Sequence, residues 1–250
     1  VGTRNLVDRL RMTFFPDTTV GELATQFPAT VRVFQRRKVE FCCGGHQTLA
    51  QVCRDIGTPY EILTVELEDA IRQAPARVTW ADRPLSELTD HIVEAFHEPL
   101  LLELPRLRAL ITRLQEHGDA HSRMLTVVGQ DLCRFETGLL ARVTAEADEL
   151  FPLIDRLEAD GPCDEDSSRL AALRTDTELF HQDAARTIRL LREITDGYAP
   201  PSNACATLRS LYRGLEEFEQ LMQLYVHLET NVLLSRAAVW MCRAGMEKQT

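Results

Sequence analysis

Two groups of residues in this 250-residue chain carry side chains that could do chemistry. The first is the run Phe41-Cys42-Cys43-Gly44-Gly45. Adjacent cysteines seldom bond to each other, because the ring they would close strains the intervening peptide. Two thiols beside a flexible Gly-Gly therefore read as exposed, reactive sulfur, and amides at the start of a following helix would raise the thiolate fraction of a neighbouring thiol. The competing reading is two small buried residues beside a turn.

The second group is spread along the chain: His97, Glu146, His181 and Glu229. Histidine and carboxylate side chains on facing helices are the donors from which helical bundles build internal metal sites. Each of the four lies in a different long amphipathic stretch, so one potential ligand would enter a common core from each helix. A single histidine in such a chain is more often surface or hydrogen-bonded core than ligand.

These residues need a helical framework, and the pattern supplies one. Apolar residues recur at helical spacing over about 85–116, 119–158, 166–196 and 202–241, with no convincing alternation of strand type. Gly118, Gly161-Pro162, and Gly197 with Pro200-Pro201 separate the stretches as helix stops. Helices of roughly 30 residues are about 45 Å long, the layout of an up-down four-helix bundle. Pro99 and Pro105 predict a kink in the first of them rather than a break. Upstream, Thr19-Val20-Gly21-Glu22 and Thr58-Pro59-Tyr60-Glu61 read as capping boxes, and Pro28 opens a helix running through Arg37. The fold expected is all-α, with a small helical domain over 15–72, a linker over 73–84 and the bundle over 85–241.

Composition narrows the function. The net charge is -10, with the first 80 residues at +1 and the remainder at -11. That is a poor surface for nucleic acid, whose binding draws on clustered basic residues. No apolar run approaches the roughly 20 residues that span a bilayer, and charges at Arg4, Asp8, Arg9 and Arg11 argue against a secretory signal. The expected address is cytoplasmic. Seven scattered cysteines without CxxC spacing fit reduced thiols better than disulfides or zinc. Cys133 and Cys205 lie in apolar helical patterns and are expected to be buried, while His117 and His121 flank a helix junction at the surface.

The run from Phe34 through Val39-Glu40-Phe41-Cys42-Cys43-Gly44-Gly45-His46-Gln47-Thr48-Leu49-Ala50 resembles the N-terminal domain of the repair of iron centres family. The likeness continues through Trp80, Pro84-Leu85, Asp90-His91-Ile92, Phe96-His97, Leu150-Phe151-Pro152, His181, Pro200-Pro201 and Ala204-Cys205 to Leu228-Glu229-Thr230-Asn231-Val232-Leu233. The resemblance implies a cytoplasmic protein with a hemerythrin-like di-iron bundle that serves iron–sulfur client proteins damaged by nitric oxide or oxidative stress. It implies iron as cofactor, Cys42 and Cys43 as redox or transfer thiols, and His97, Glu146, His181 and Glu229 as metal ligands. A homodimer is left open; neither nucleic acid nor membrane is expected as partner.

The chain departs from that pattern at two positions. Arg142 stands where the family carries the histidine four before Glu146, and Tyr225 where it carries the histidine four before Glu229. His227 is no substitute, because a shift of two residues turns a helix by about 200°. In one reading Arg142 pairs with Glu146 and Glu229, and a salt bridge fills the site. In the other the site is rebuilt from carboxylates: Glu94 and Glu178 each stand three before a histidine, giving the alternation of Glu-x-x-His with lone Glu found in ferritin-like di-iron bundles, with Tyr225 nearby. The functions in view are iron supply and thiol chemistry for cluster repair, sensing of nitric oxide or oxygen, a carboxylate-type di-iron redox enzyme, and a metal-free scaffold. No phosphate loop, nicotinamide fingerprint or hydrolytic triad points to a conventional enzyme.

Overall fold

The computed structural model describes residues 14–42, 45–73, 80, 83–117, 121–163 and 165–247, with side chains through residue 241. Cys43, Gly44, Gly118, Asp119 and most of the expected linker fall outside the described residues. The chain divides into two compact units, one ending at Arg83 and the other beginning at Pro84. The fold is all-α; among the described residues the one extended pairing is an antiparallel bridge between Thr19 and Thr48.

The first unit holds α1 (Val20–Gln26), a 3-10 turn (Pro28–Thr30) leading into α2 (Val31–Arg36), α3 (Leu49–Asp55) and α4 (Tyr60–Gln73). Short helices are marginal in water, so their ends matter. At α1 the amide of Glu22 donates to Thr19 Oγ1 at 3.2 Å, and the Thr19 amide donates to Glu22 Oε2 at 3.0 Å. A second box at Thr48 and Gln51, not singled out in the sequence, opens α3 in the same way. The core is apolar, with Phe34 stacked on Phe41 at 5.9 Å and Leu23, Leu49, Leu63 and Leu67 buried around them.

The second unit is four antiparallel helical rods. The first is α5 (Leu85–Ile92), a π-helical turn (Val93–His97) and α6 (Glu98–Glu116). The second is α7 (Ser122–Ala145), a π turn (Glu146–Leu150) and α8 (Phe151–Asp160). The third is α9 (Asp166–Ile194), the longest uninterrupted helix. The fourth is α10 (Ala206–His227), a π stretch (Leu228–Leu234) and α11 (Ser235–Glu247). α6 packs on α7 and α10, α5 on α8, and α7 on α9, so each rod runs against its sequence neighbour and the fourth closes on the first. The expected break points hold at Gly161, which ends α8 at φ 77°, and at Gly197, φ 67°. Glu158, near the end of the second rod, accepts from the Leu85 and Ser86 amides at 2.8 and 3.1 Å and so caps the start of the first.

The prolines do not break the first rod, as expected. The first rod continues through both Pro99 and Pro105. Pro99 follows the π turn at Val93–His97, and Pro152 follows the one at Glu146–Leu150. A proline has no N–H for the carbonyl four residues back and its ring crowds that carbonyl, which is Ala95 in one case and Asp148 in the other. Both carbonyls lie inside a π turn, so the helix accommodates each proline by widening the turn before it.

Candidate functional site

Three of the four rods widen into π turns, and those turns carry His97, Glu146 and Glu229. π turns inside α-helices recur at functional sites, because the extra residue re-aims the side chains around it. His97, Arg142, Glu146, His181, Tyr225 and Glu229 are all at most 5% exposed and form one connected cluster inside the bundle.

At its centre lies the Arg142 guanidinium. Its Nε donates to Glu146 Oε1 at 2.5 Å, one turn along the same rod, and a terminal nitrogen donates to Glu229 Oε1 on the fourth rod. The remaining oxygen of Glu229 meets His181 Nε2 at 2.8 Å, and His181 Nδ1 lies 3.0 Å from the Thr230 hydroxyl. With Nε2–H donating to the carboxylate, Nδ1 is left to accept from Thr230, the tautomer that satisfies both contacts. On the other side the Tyr225 hydroxyl donates to Glu146 Oε1, the oxygen that Arg142 Nε already holds. His97 Nε2 approaches Glu146 Oε2 to 2.9 Å, but not along a hydrogen-bonding direction, and both atoms are buried without a hydrogen-bond partner.

The electrostatics follow from burial with too few positive charges. Burial would loosen the Arg142 proton, but Glu229 and Glu146 outweigh it and hold the guanidinium firmly charged. Burial, and then the neighbouring Glu229 charge, push the Glu146 carboxyl up. For Glu229 burial works in the same direction, yet the His181 hydrogen bond and Arg142 prevail and hold it below the usual carboxylate range. Tyr225 is pushed well above an ordinary phenol by burial and by the two carboxylates, and so remains a donor.

Glu94 and Glu178 do not join the cluster. Glu94 is exposed, and Glu178 pairs at the surface with Arg174 at 3.0 Å. Residues three apart on an α-helix are offset by about 60°, enough to carry Glu178 off the inward face that His181 occupies. Glu94 and His97 share a π turn, whose wider winding separates them further. The carboxylate-rebuilt site is therefore not assembled. His227 is buried, and its Nδ1 accepts from Asn231 Nδ2 at 3.0 Å.

Whether these residues fit two irons is decided by the donor set. Two of the four positions that the family resemblance gives to histidine ligands hold instead a guanidinium, which has no lone pair to offer, and a phenol whose O–H is spent on Glu146. Glu146 Oε1 and Glu229 Oε1 are both taken by Arg142, whose fixed charge lies where metal charge would have to go. Among the described residues no group of three or more His, Cys, Asp or Glu side chains is placed to hold a metal ion. The residues do not fit a di-iron centre.

In the first unit Cys42 is buried, at 8% exposure, rather than displayed. The loop behind it is pinned: the Gly21 amide donates to the Gly45 carbonyl at 2.9 Å and the Val20 amide to the Gln47 carbonyl at 2.9 Å. A Cβ on Gly45 would lie 2.8 Å from the Phe41 carbonyl oxygen, and one on Gly21 2.9 Å from that of Gly45. Glycine at 45 thus permits close backbone approach and is not a source of looseness. Cys43 lies outside the described residues. Cys53, whose thiol burial and then Glu61 push up, lies beside a shallow cavity of about 380 Å³ lined by Pro16, Ala50, Arg54, Thr58 and Tyr60. Cys133 and Cys205 are exposed, against expectation. Cys205 ends up as the N-cap of α10, its sulfur accepting from the Leu208 amide at 3.4 Å. His117, exposed, places Nδ1 2.7 Å from the Arg113 carbonyl at the end of α6.

A family described as a domain of unknown function, DUF542, matches residues 16–71, the segment that holds the cysteine pair. Over nearly the whole chain the sequence is similar to bacterial proteins named iron-sulfur cluster repair protein YtfE. That of Pectobacterium atrosepticum is 28% identical over 223 residues, covering 89% of this chain and 97% of the relative. Those of Dickeya chrysanthemi and Citrobacter koseri are each 29% identical with the same coverage. The chain resembles the repair of iron centres proteins. The likeness spans both units. The π turns were not anticipated, although Pro99 and Pro152, each just past a predicted ligand, were the signal that could have revealed two of them.

Proposed function

We propose that the protein acts in the cytoplasm in the repair of damaged iron–sulfur clusters, with the Cys42 and Cys43 unit handling the client's iron as cargo and the bundle serving as its carrier. The observation that carries this reading is the DUF542 match over the segment whose loop holds Cys42 in a fixed place, continued by similarity to repair proteins along 89% of the chain. A thiolate is a ligand for iron, and two adjacent cysteines offer two such ligands in one short stretch of chain. Burial in a pinned loop keeps Cys42 from casual oxidation and reserves it for a partner that fits the loop. The partners are iron–sulfur proteins. No helix among the described residues is long and apolar enough to cross a membrane.

The relatives' name points to involvement of iron, and in this reading that iron belongs to the client. The test is restoration of a nitric-oxide-treated iron–sulfur enzyme by the purified full chain. The Cys42→Ala, Cys43→Ala variant is expected to lose the restoring activity and His97→Gln to keep it. Equal activity of the cysteine variant and the parent would overturn the reading.

A further inference from the structure

We propose that Arg142 is the built-in counterion of the bundle core, taking over the charge-balancing task of a metal centre, so that the bundle folds and stays closed without iron. Glu146 and Glu229 come from different rods and both are fully buried, so their negative charges face each other with no water to screen them. Left to themselves they would force the rods apart or take up protons. The guanidinium answers both at once: it is flat, carries its donors in a fixed fork, and reaches one carboxylate with Nε and the other with a terminal nitrogen.

The second replacement supports the first. Arg142 Nε and the Tyr225 hydroxyl both donate to the same atom, Glu146 Oε1. A metal would have withdrawn electron density from that oxygen; here one N–H and one O–H donor do so instead. The two departures from the family pattern therefore converge on one oxygen and act in one sense, replacing lone pairs with donors. An isolated loss of a ligand would leave its neighbours unsatisfied, whereas here three of the four carboxylate oxygens have a donor in line. The fourth, Glu146 Oε2, faces His97 Nε2 at 2.9 Å, and two donors alone do not make a metal site.

The inference rests on the bundle and not on the repair reading, and the two can fail separately. The decisive experiment uses the full chain carrying Cys42→Ala and Cys43→Ala, so that metal held by those thiols is not counted. The protein is made in iron-replete medium, its metal content is measured, and its melting temperature is recorded with chelator and with excess ferrous iron or zinc. The expected result is far less than one metal per chain and the same melting temperature throughout. A real site in hundredfold excess of metal over its dissociation constant would raise the melting temperature by about 5–10 °C. One metal per chain with such a rise, abolished by His97→Gln, would overturn the proposal and show that His97 and Glu146 anchor a mononuclear site. In a second arm, Arg142→His combined with Tyr225→His is expected to bind iron that the parent does not. A folded double variant that takes up no more iron than its parent would show that Arg142 and Tyr225 are not what keeps metal out.

Discussion

The bundle contains two clusters in which arginine, glutamate and tyrosine meet, and they differ in their balance of charge. Near one end, Arg192 donates to Glu219, which also accepts from the Tyr198 hydroxyl at 2.5 Å and from Gln223 at 3.0 Å. One arginine faces one carboxylate, and the cluster ties the turn after α9 to α10. Tyr198 has a left-handed backbone, φ 67°, a conformation that costs a non-glycine residue about 1–2 kcal/mol and persists here because its hydroxyl is held. In the other cluster one arginine faces two carboxylates, flanked by two histidines and a tyrosine. The first is a fastening. The second has more acid than a fastening needs, the mark of a core laid out for more positive charge than one arginine brings.

The largest effect expected from this difference follows removal of each arginine. Arg142→Gln leaves two fully buried carboxylates unneutralised, and breaking a buried pair in this way costs about 3–5 kcal/mol, or a fall in melting temperature of about 10 °C. Arg192→Gln leaves Glu219 with two neutral donors, and the Arg192 side chain is already 23% exposed, so the expected cost is about 1–2 kcal/mol. Thermal unfolding followed by circular dichroism measures both, and equal losses would mean that the two clusters are the same kind of object.

The next effect concerns His227, which is buried and held down to a pKa of about 4 by that burial. The unfolded chain takes up this proton near the ordinary histidine value, about 6.5, so between pH 6.5 and 4 the unfolded state holds the extra proton. Stability is therefore complete above 6.5 and declines as the pH falls toward 4, by about 3 kcal/mol in all. His227→Gln, which keeps an acceptor for Asn231, is expected to flatten that decline in denaturation curves taken at pH 7, 5.5 and 4.5. An unchanged decline would move the acid sensitivity to the ring itself and weaken the claim that Arg142 keeps it charge-balanced.

The rods, the break points at Gly161 and Gly197 and the capping box at Thr19 were legible in the sequence because helical periodicity, glycine stops and capping residues are local signals. The pairing of Arg142 with Glu146 was legible for the same reason, since residues four apart share a helix face. What escaped was geometry that depends on a changed winding. A uniform helix made Glu94 and Glu178 look like neighbours of the histidines. The π turn at Val93–His97 and an arginine one turn before Glu178 draw them outward instead. Cys42 escaped for a different reason: Gly45 suggested freedom, but its lack of a side chain serves a close contact with Gly21, about 80 Å of extended chain away, which no local pattern encodes.

The smallest effect expected is the most discriminating, because it removes one oxygen atom from each cluster. Tyr198→Phe deletes a donor to a carboxylate that keeps Arg192 and Gln223, and the expected loss is about 1 kcal/mol. Tyr225→Phe deletes a donor to Glu146, whose other oxygen already lacks an in-line partner, so the carboxylate is left with Arg142 alone. Its loss should reach about 2 kcal/mol. The added cost arises because the Tyr225 donor is part of the charge balance of Glu146 rather than an extra tie. If the two phenylalanine variants lose the same amount, Tyr225 is only another fastening, and the substitution of donors for ligands then rests on Arg142 alone. If Tyr225→Phe loses more, and Glu146→Gln introduced beside it restores the difference by removing the charge, then arginine and tyrosine act on the same carboxylate as one unit.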